Sequence, residues 1–390
     1  TAQDDWFRTA STDSLAQSDY TERAFRFRNT NRIRLGSSVS LEMGADAEVN
    51  RNRYDYVLGA HHDRLGNPVP RFQVNTDHDE ERAGAFGTVS WAITPAWDFT
   101  AGGRVDHYTA SEETRFYPRF SSSFAVTERL TLNAAAGVFA QRLPGFILSQ
   151  DLSYLELPLP EAVHLVVGAD YLLNTSTQLT MEGYWKEYEN MPMEEEDPSK
   201  SVLDDGTSSG RFWQYGTLVG TGKARAYGVE LLLQKKLTDR FYGLASASLF
   251  RSKYRGLDDT WRSRAHDNRF LLNAVAGYRP SHHWEFSARW SIAGGPPYTP
   301  FDVQASEAIQ EGVVDATRTN ADGYPTYHSL NLKIARRFVF RGSALTSYIA
   351  LWNAYGQDNV AEYYWNEVDN AQDTLYQFGF LPVFGLEWKF

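Results

Sequence analysis

The sequence predicts an all-β chain, a transmembrane antiparallel β-barrel. Three observations predict it. Apolar and polar residues alternate with period two along most of the chain. The links between the alternating segments are short and long by turns. Aromatic residues make up 14% of the chain, with 11 Trp, 22 Tyr and 23 Phe, yet it has no apolar run near the roughly 20 residues of a membrane helix. A barrel hides its lipid signal in alternation, so a polar mean hydropathy of −0.47 is compatible with it.

The alternation is explicit. Val39, Leu41, Met43, Ala45, Ala47 and Val49 interleave with Ser40, Glu42, Gly44, Asp46, Glu48 and Asn50. Leu130, Leu132, Ala134, Ala136 and Val138 do so with Thr131, Asn133, Ala135, Gly137 and Phe139, and Trp284, Phe286, Ala288, Trp290 and Ile292 with Glu285, Ser287, Arg289 and Ser291. Successive side chains of a strand point to opposite faces, so each segment has an apolar and a polar side. The spacing predicts hairpins over 23–35 with 39–58, 82–94 with 97–110, 118–126 with 130–141, and 162–173 with 177–189. It predicts three more over 222–236 with 241–254, 267–279 with 284–294, and 328–338 with 344–354, then a last strand at 381–390. That makes fifteen strands, and Asp5-Trp6-Phe7-Arg8-Thr9 reads as the outer end of a sixteenth.

Within pairs the links are two to five residues; between pairs they run from 111–117 up to 190–221 and 296–327. Long structureless loops count against a soluble domain. In outer-membrane barrels short periplasmic turns and long outer loops are expected. A two-domain sandwich would show a break in composition and a propeller a regular repeat, and the sequence has neither.

The net charge of −11 argues against nucleic acid as a partner, since a basic face provides most of that affinity. With no Cys, disulfides, thiolate zinc sites and Cys nucleophiles are excluded. Thr1-Ala2-Gln3-Asp4-Asp5 lacks the basic start and apolar centre of a signal peptide.

Centring the first turn on Ser37 makes Arg32 oppose Glu42, Arg28 oppose Asp46 and Arg26 oppose Glu48, a ladder of charge on the lumen side. The other side carries Phe25, Phe27, Ile33 and Leu35 beside Val39, Leu41 and Met43. Aromatics stand at lipid-side strand ends: Trp91, Trp97, Tyr171, Trp185, Tyr227, Tyr278, Trp284 and Trp388. Phe384, Leu386, Trp388 and Phe390 alternate with Gly385, Glu387 and Lys389, which resembles the terminal strand that outer-membrane insertion machinery recognises.

Further details resemble the C-terminal barrel of TonB-dependent outer-membrane receptors. Gly294-Gly295-Pro296-Pro297-Tyr298-Thr299-Pro300-Phe301 is similar to the family's Gly-x-Pro-Tyr-Thr-Pro segment, Asp267-Asn268-Arg269-Phe270 to its Asp-x-Arg-His entry, and Ala224 to Glu230 to its Ala-x-Gly-Val-Glu strand. Tyr327 to Asn331 with Arg336-Arg337-Phe338 is similar to the penultimate hairpin, although the family usually has Asp at the position of Asn331. Asn353-Ala354-Tyr355 with Asn359-Val360 resembles its Asn-x-Tyr-x-x-x-Asn-Val stretch. The clear matches cover 160–390.

The resemblance implies a receptor for active uptake of a ligand bound at extracellular loops, embedded in outer-membrane lipid. It implies an energy-transducing TonB-type protein that pulls on a plug domain inside a 22-stranded barrel. Neither plug nor Ton box is visible in the sequence, so 1–390 reads as the C-terminal part of such a barrel. At about 26 residues per strand, twenty-two strands need about 570 residues. A missing N-terminal segment or a second chain would complete it. The alternative is a passive, porin-like or structural outer-membrane barrel, as one chain of a larger assembly.

Other constellations are weaker. Glu194-Glu195-Glu196-Asp197 and Asp204-Asp205 are dense enough in carboxylate for calcium but lack EF-hand spacing. His61-His62-Asp63 and His282-His283 have no partner at ligand spacing, so no metal site and no cofactor is expected. No phosphate loop, nucleophile elbow or His-Glu-x-x-His occurs, and the chain is not expected to be an enzyme. Trp213, Tyr215, Tyr363, Tyr364 and Trp365 lie in long loops, and aromatic faces there suit a ligand or loop–loop packing.

Overall fold

The computed structural model describes residues 2–8, 14–204 and 214–390. Its strands in chain order are β1 Ala2–Arg8, β2 Ser14–Arg34, β3 Val39–Leu58, β4 His61–His62, β5 Pro68–Val69, β6 Phe72–Thr94, β7 Trp97–Tyr108 and β8 Glu113–Ala125. Then come β9 Leu130–Ala140, β10 Glu161–Asn174, β11 Thr177–Glu194, β12 Leu218–Thr238, β13 Phe241–Arg255, β14 Trp261–Ser263, β15 Phe270–Tyr278 and β16 Trp284–Ala293. The last are β17 Pro297–Tyr298, β18 Asp322–Gly323, β19 Tyr327–Phe340, β20 Ser343–Trp352, β21 Val360–Asn366, β22 Ala371–Tyr376 and β23 Leu381–Lys389.

Sixteen strands form one antiparallel meander, β1–β2–β3–β6–β7–β8–β9–β10–β11–β12–β13–β15–β16–β19–β20–β23. β14 extends the outer end of β13. Every predicted hairpin is present, and β1 is the sixteenth wall strand. Among the described residues β1 and β23 do not pair with each other, so the sheet has two free edges. Among the described residues no helix is long and apolar enough to cross a membrane.

Strand boundaries differ from expectation on the long-loop side. β2 starts at Ser14 and β6 at Phe72, well before the predicted 23 and 82. These extensions carry polar residues on both faces, so they lack the alternation used to find strands. Backbone pairing needs no apolar side chain, and they stand above the apolar band. β8 starts at Glu113, which shortens the outer link after β7 to residues 109–112. In the turn between β12 and β13, Asp239 and Arg240 both have positive φ, at 49° and 81°, as a type I′ hairpin requires.

The first hairpin pairs Arg32 with Glu42, Arg28 with Asp46 and Arg26 with Glu48. Phe25 and Phe27 on the other face are exposed, as are Phe120, Leu165, Val229, Ile349 and Phe384. This is an apolar outer band on a wall whose inner side is charged.

The packed cores lie in the outer loops. Leu143, Ile147, Leu148 and Tyr154, from the link after β9, pack with Val202 and Tyr215 from the link after β11 and with Leu218 at the start of β12. Phe146 also meets the tall ends of β3 and β6, where Tyr54, Tyr56, Leu58 and Val74 are buried. The link after β9 contains a one-turn helix α1 (Gly145–Leu148), and the link after β16 contains α2 (Val303–Ile309), whose N-terminus is capped by the Asp302 side chain accepting from Ala305 N–H.

Candidate functional site

The lumen side of β3, β6 and β7 carries a four-member charge cluster. Arg104 places Nη1 2.7 Å and Nη2 2.8 Å from the two oxygens of Asp46. Its Nε and Nη2 reach Asp106 at 2.6 and 2.5 Å. Arg82 lies 3.0 Å from Asp46 and 2.8 Å from Asp106. Gly84 makes this possible. It sits between Asp46 and Asp106 in the sheet, and a Cβ there would stand 2.2 Å from Asp106 Oδ1 and 2.3 Å from Arg104 Nη2.

The ladder on the first hairpin is therefore changed in one rung. Arg32 reaches Glu42 at 2.5 Å and Arg26 reaches Glu48 at 3.0 Å. Arg28 has the anticipated backbone partner, but Arg104 and Arg82 occupy the Asp46 carboxylate. The Arg28 guanidinium lies instead 5.0 Å from the centre of the Phe86 ring. Arginine side chains from β6 and β7, one and two strands along the sheet from Asp46, reach the same carboxylate, which hairpin pairing alone does not reveal.

Above this cluster, Glu80 accepts from Arg142 at 2.5 Å and lies 3.1 Å from His78 and 3.3 Å from Asn52. All but Arg142 are buried. The outer loops are then tied together. Arg64, after β3, donates to Asp197 at 2.7 Å. The Tyr254 hydroxyl donates to the Ser199 carbonyl at 2.6 Å, Ser199 and Thr319 hydroxyls are 3.0 Å apart, and Arg264 donates to Asp204 at 2.8 Å. Asn320 donates to the Ser263 carbonyl at 2.8 Å. Four of the described carboxylates of the acidic loop thus meet protein partners: beside Asp197 and Asp204, Glu194 faces Lys200 at 3.3 Å and accepts from Gly216 N–H, and Glu196 accepts from Thr217, while Asp205 lies outside the described residues. In the link after β13, Arg262 donates twice to Asp258, at 2.8 and 2.6 Å, and holds its carboxyl down at about 2.

The loop aromatics divide. Tyr215 is buried among Leu148, Tyr154 and Leu218, with Lys200 Nζ 4.9 Å from its ring centre. Trp365 is buried edge-on to Phe301 and donates to Asn370. Both therefore pack loops together rather than offer a face to a ligand. Trp213 lies outside the described residues. Tyr364 is exposed and donates to Asp373 at 3.1 Å. Tyr363 joins two tyrosines that sequence reasoning passed over. The rings of Tyr298, Tyr324 and Tyr363 lie 4.7, 5.1 and 5.0 Å apart, centre to centre, from three separate chain segments. Their signal was present only as Tyr298 in the Pro-Tyr-Thr-Pro stretch and as Gly323-Tyr324-Pro325. Phe384, Leu386, Trp388 and Phe390 all face outward on or just after the edge strand β23.

Family-level comparison matches residues 1–344 to "TonB dependent receptor-like, beta-barrel". No curated protein sequence matches the chain. Among solved structures, the ferric yersiniabactin uptake receptor FyuA of Yersinia pestis superposes with a TM-score of 0.66 at 12% identity, over 99% of this chain and 56% of its own. The ferripyoverdine receptor of the Pseudomonas aeruginosa outer membrane gives 0.66 at 14%, over 95% and 48%. The siderophore receptor PiuA of Acinetobacter baumannii gives 0.64 at 13%, over 96% and 56%. The chain spans about half the length of these structures. With the family matched over most of its residues and the same antiparallel wall, the chain belongs to the TonB dependent receptor-like β-barrel family of the outer membrane.

Proposed function

We propose that this chain is the C-terminal wall, lumen lining and capture loops of an outer-membrane receptor that takes up a ligand actively. The family match over 1–344 carries this reading. Coupling would run through a plug domain supplied outside residues 1–390 to an energy-transducing TonB-type protein. The two free sheet edges support completion by further strands, from the same polypeptide or a second chain, because unpaired backbone groups in hydrocarbon cost several kcal/mol each.

The cluster of Tyr298, Tyr324 and Tyr363 is the proposed capture point, joined by the exposed Tyr364. Aromatic faces with hydroxyl rims suit a flat, π-rich chelate or a sugar ring. The outward alternation of Phe384, Leu386, Trp388 and Phe390 is the stretch proposed for recognition during membrane insertion. The chain is proposed to have no catalytic role.

The test is uptake of radiolabelled iron, as siderophore complexes, by cells carrying the full receptor. Uptake that vanishes when the TonB-type protein is deleted supports the reading. Uptake that survives deletion, with passage of small sugars through reconstituted vesicles, would instead make this a passive channel.

A further inference from the structure

The outward face of the wall contains a groove of about 1070 Å³ that crosses the strands between β7 and β15. Its floor is set by small residues, Ala134, Ala136 and Gly183, and its sides by larger ones such as Leu165, Trp185 and Val229. Cross-strand register makes these a continuous surface: Ala136 opposes Leu165, Leu165 opposes Trp185, and Gly183 opposes Val229. At one end the lining changes to Arg251 and Arg269. Both lie towards the long-loop side, Arg251 near the outer end of β13 and Arg269 just before β15.

Two more cations stand beside that end. Arg225 and Lys253 are direct cross-strand partners on the same face. Like charges in that position destabilise a sheet. The nearest acid in the ladder, Glu187 opposite Arg225, accepts instead from the Trp185 indole N–H at 2.9 Å. Arg225 stacks on Trp261 at 4.1 Å, and its buried Nε has no hydrogen-bond partner. Among the described residues no carboxylate lies within ion-pair distance of Arg225, Arg251, Lys253 or Arg269. An open apolar groove therefore ends at four cations that have no ion-pair partner among the described residues.

We propose that this groove holds an acyl chain of a phosphate-bearing lipid of the outer leaflet, with its phosphate held by Arg225, Arg251, Lys253 and Arg269. The inference rests on the outer-membrane placement of the chain, not on uptake. Such a lipid supplies both missing partners at once. Its chain fills the groove between Leu165 and Val229, and its phosphate oxygens accept from the arginine N–H groups. The lipid is a fixed part of the wall, distinct from any ligand captured by the loops.

The experiment uses the full receptor in neutral detergent, with phosphatidic acid and the diacylglycerol of identical chains as probes, read by native mass spectrometry. The parent protein should retain phosphatidic acid over diacylglycerol by about thirtyfold, equivalent to about 2 kcal/mol. Arg251→Gln with Arg269→Gln should remove most of that preference while diacylglycerol retention is unchanged. Gly183→Leu should lower retention of both, since the nearest atom to a new Cβ is 3.9 Å away and the added side chain fills the groove without displacing the wall. Equal retention of the two probes by the parent, or an unaltered preference in the double variant, would overturn the proposal, as would displacement of phosphatidic acid by inorganic phosphate alone. Heat-dependent gel mobility on the same samples reports separately whether the barrel is intact and membrane-type.

Discussion

Replacing Arg104 with Ala should be among the most damaging changes available in the lumen. Its guanidinium makes four contacts of 2.5–2.8 Å to Asp46 and Asp106, and both carboxylates are largely buried. Breaking a buried pair by removing one partner costs about 3–5 kcal/mol, because the other charge is left without compensation. Arg82 remains, 3.0 Å from Asp46 and 2.8 Å from Asp106, and offsets part of the loss. About 3 kcal/mol is the resulting expectation. Arg28 is the built-in control, since it opposes the same Asp46 by backbone register but forms no ion pair with it among the described residues and lies over the Phe86 ring, at an exposed site worth about 0.5 kcal/mol. Urea unfolding in lipid vesicles, followed by tryptophan fluorescence, measures both. A double-mutant cycle with Asp46→Asn isolates the pair. If Arg104→Ala and Arg28→Ala cost the same, the charge network drawn from the side-chain geometry is wrong.

Gly84→Val should destabilise the barrel by about 2 kcal/mol, because its branches would displace the Asp106 carboxylate and the Arg104 fork; an unchanged urea midpoint would count against the close approach. Asp258 should titrate near 2 by carbonyl NMR. Its folded value lies below the unfolded 3.8, so its pairing with Arg262 is fully present above that value and is lost as pH falls through about 2. Arg262→Gln should return the midpoint towards 3.8, and a parent midpoint already at 3.8 would refute the pairing. Tyr363→Ala with Tyr324→Ala should reduce ligand retention at least about tenfold without altering gel mobility, given about 1 kcal/mol or more per aromatic anchor. Equal retention would remove the three-tyrosine cluster from the capture surface.

How much of this was legible follows from what a sequence encodes locally. A tight turn fixes register between the strands it joins, so the pairing of 23–35 with 39–58 could be read from one turn position. Registers across the outer links are not fixed in that way. Asp46 lies beside Gly84 and then Asp106 only because β3 pairs with β6 and β6 with β7 in particular registers. The fate of Arg28 therefore depended on Arg104, a side chain 58 positions from Asp46 in the chain. The polar extensions of β2 and β6 went unread because alternation reports burial against lipid, and these parts stand clear of it. Loop aromatics carried no orientation in sequence: Tyr215 and Trp365 pack inward, Tyr363 stacks with distant rings, and nothing local distinguishes them. The Asp302 cap of α2 was a readable signal hidden inside a long acidic and Gly/Pro-rich link.

The ties between the outer loops also bear on how such a surface can change. Arg64, Asp197, Ser199, Asp204, Arg264, Thr319 and Asn320 belong to four separate links, yet each is held by another of the four or by a wall strand beside it. A substitution in any one is transmitted to loops far away in the chain. Libraries that randomise a single loop will mostly sample broken braces. New specificities are more accessible to co-variation of partners such as Arg64 with Asp197, or to substitution at Val368, the almost fully solvated tip of the β21–β22 hairpin, whose inner residues Tyr363 and Trp365 are committed to neighbouring rings.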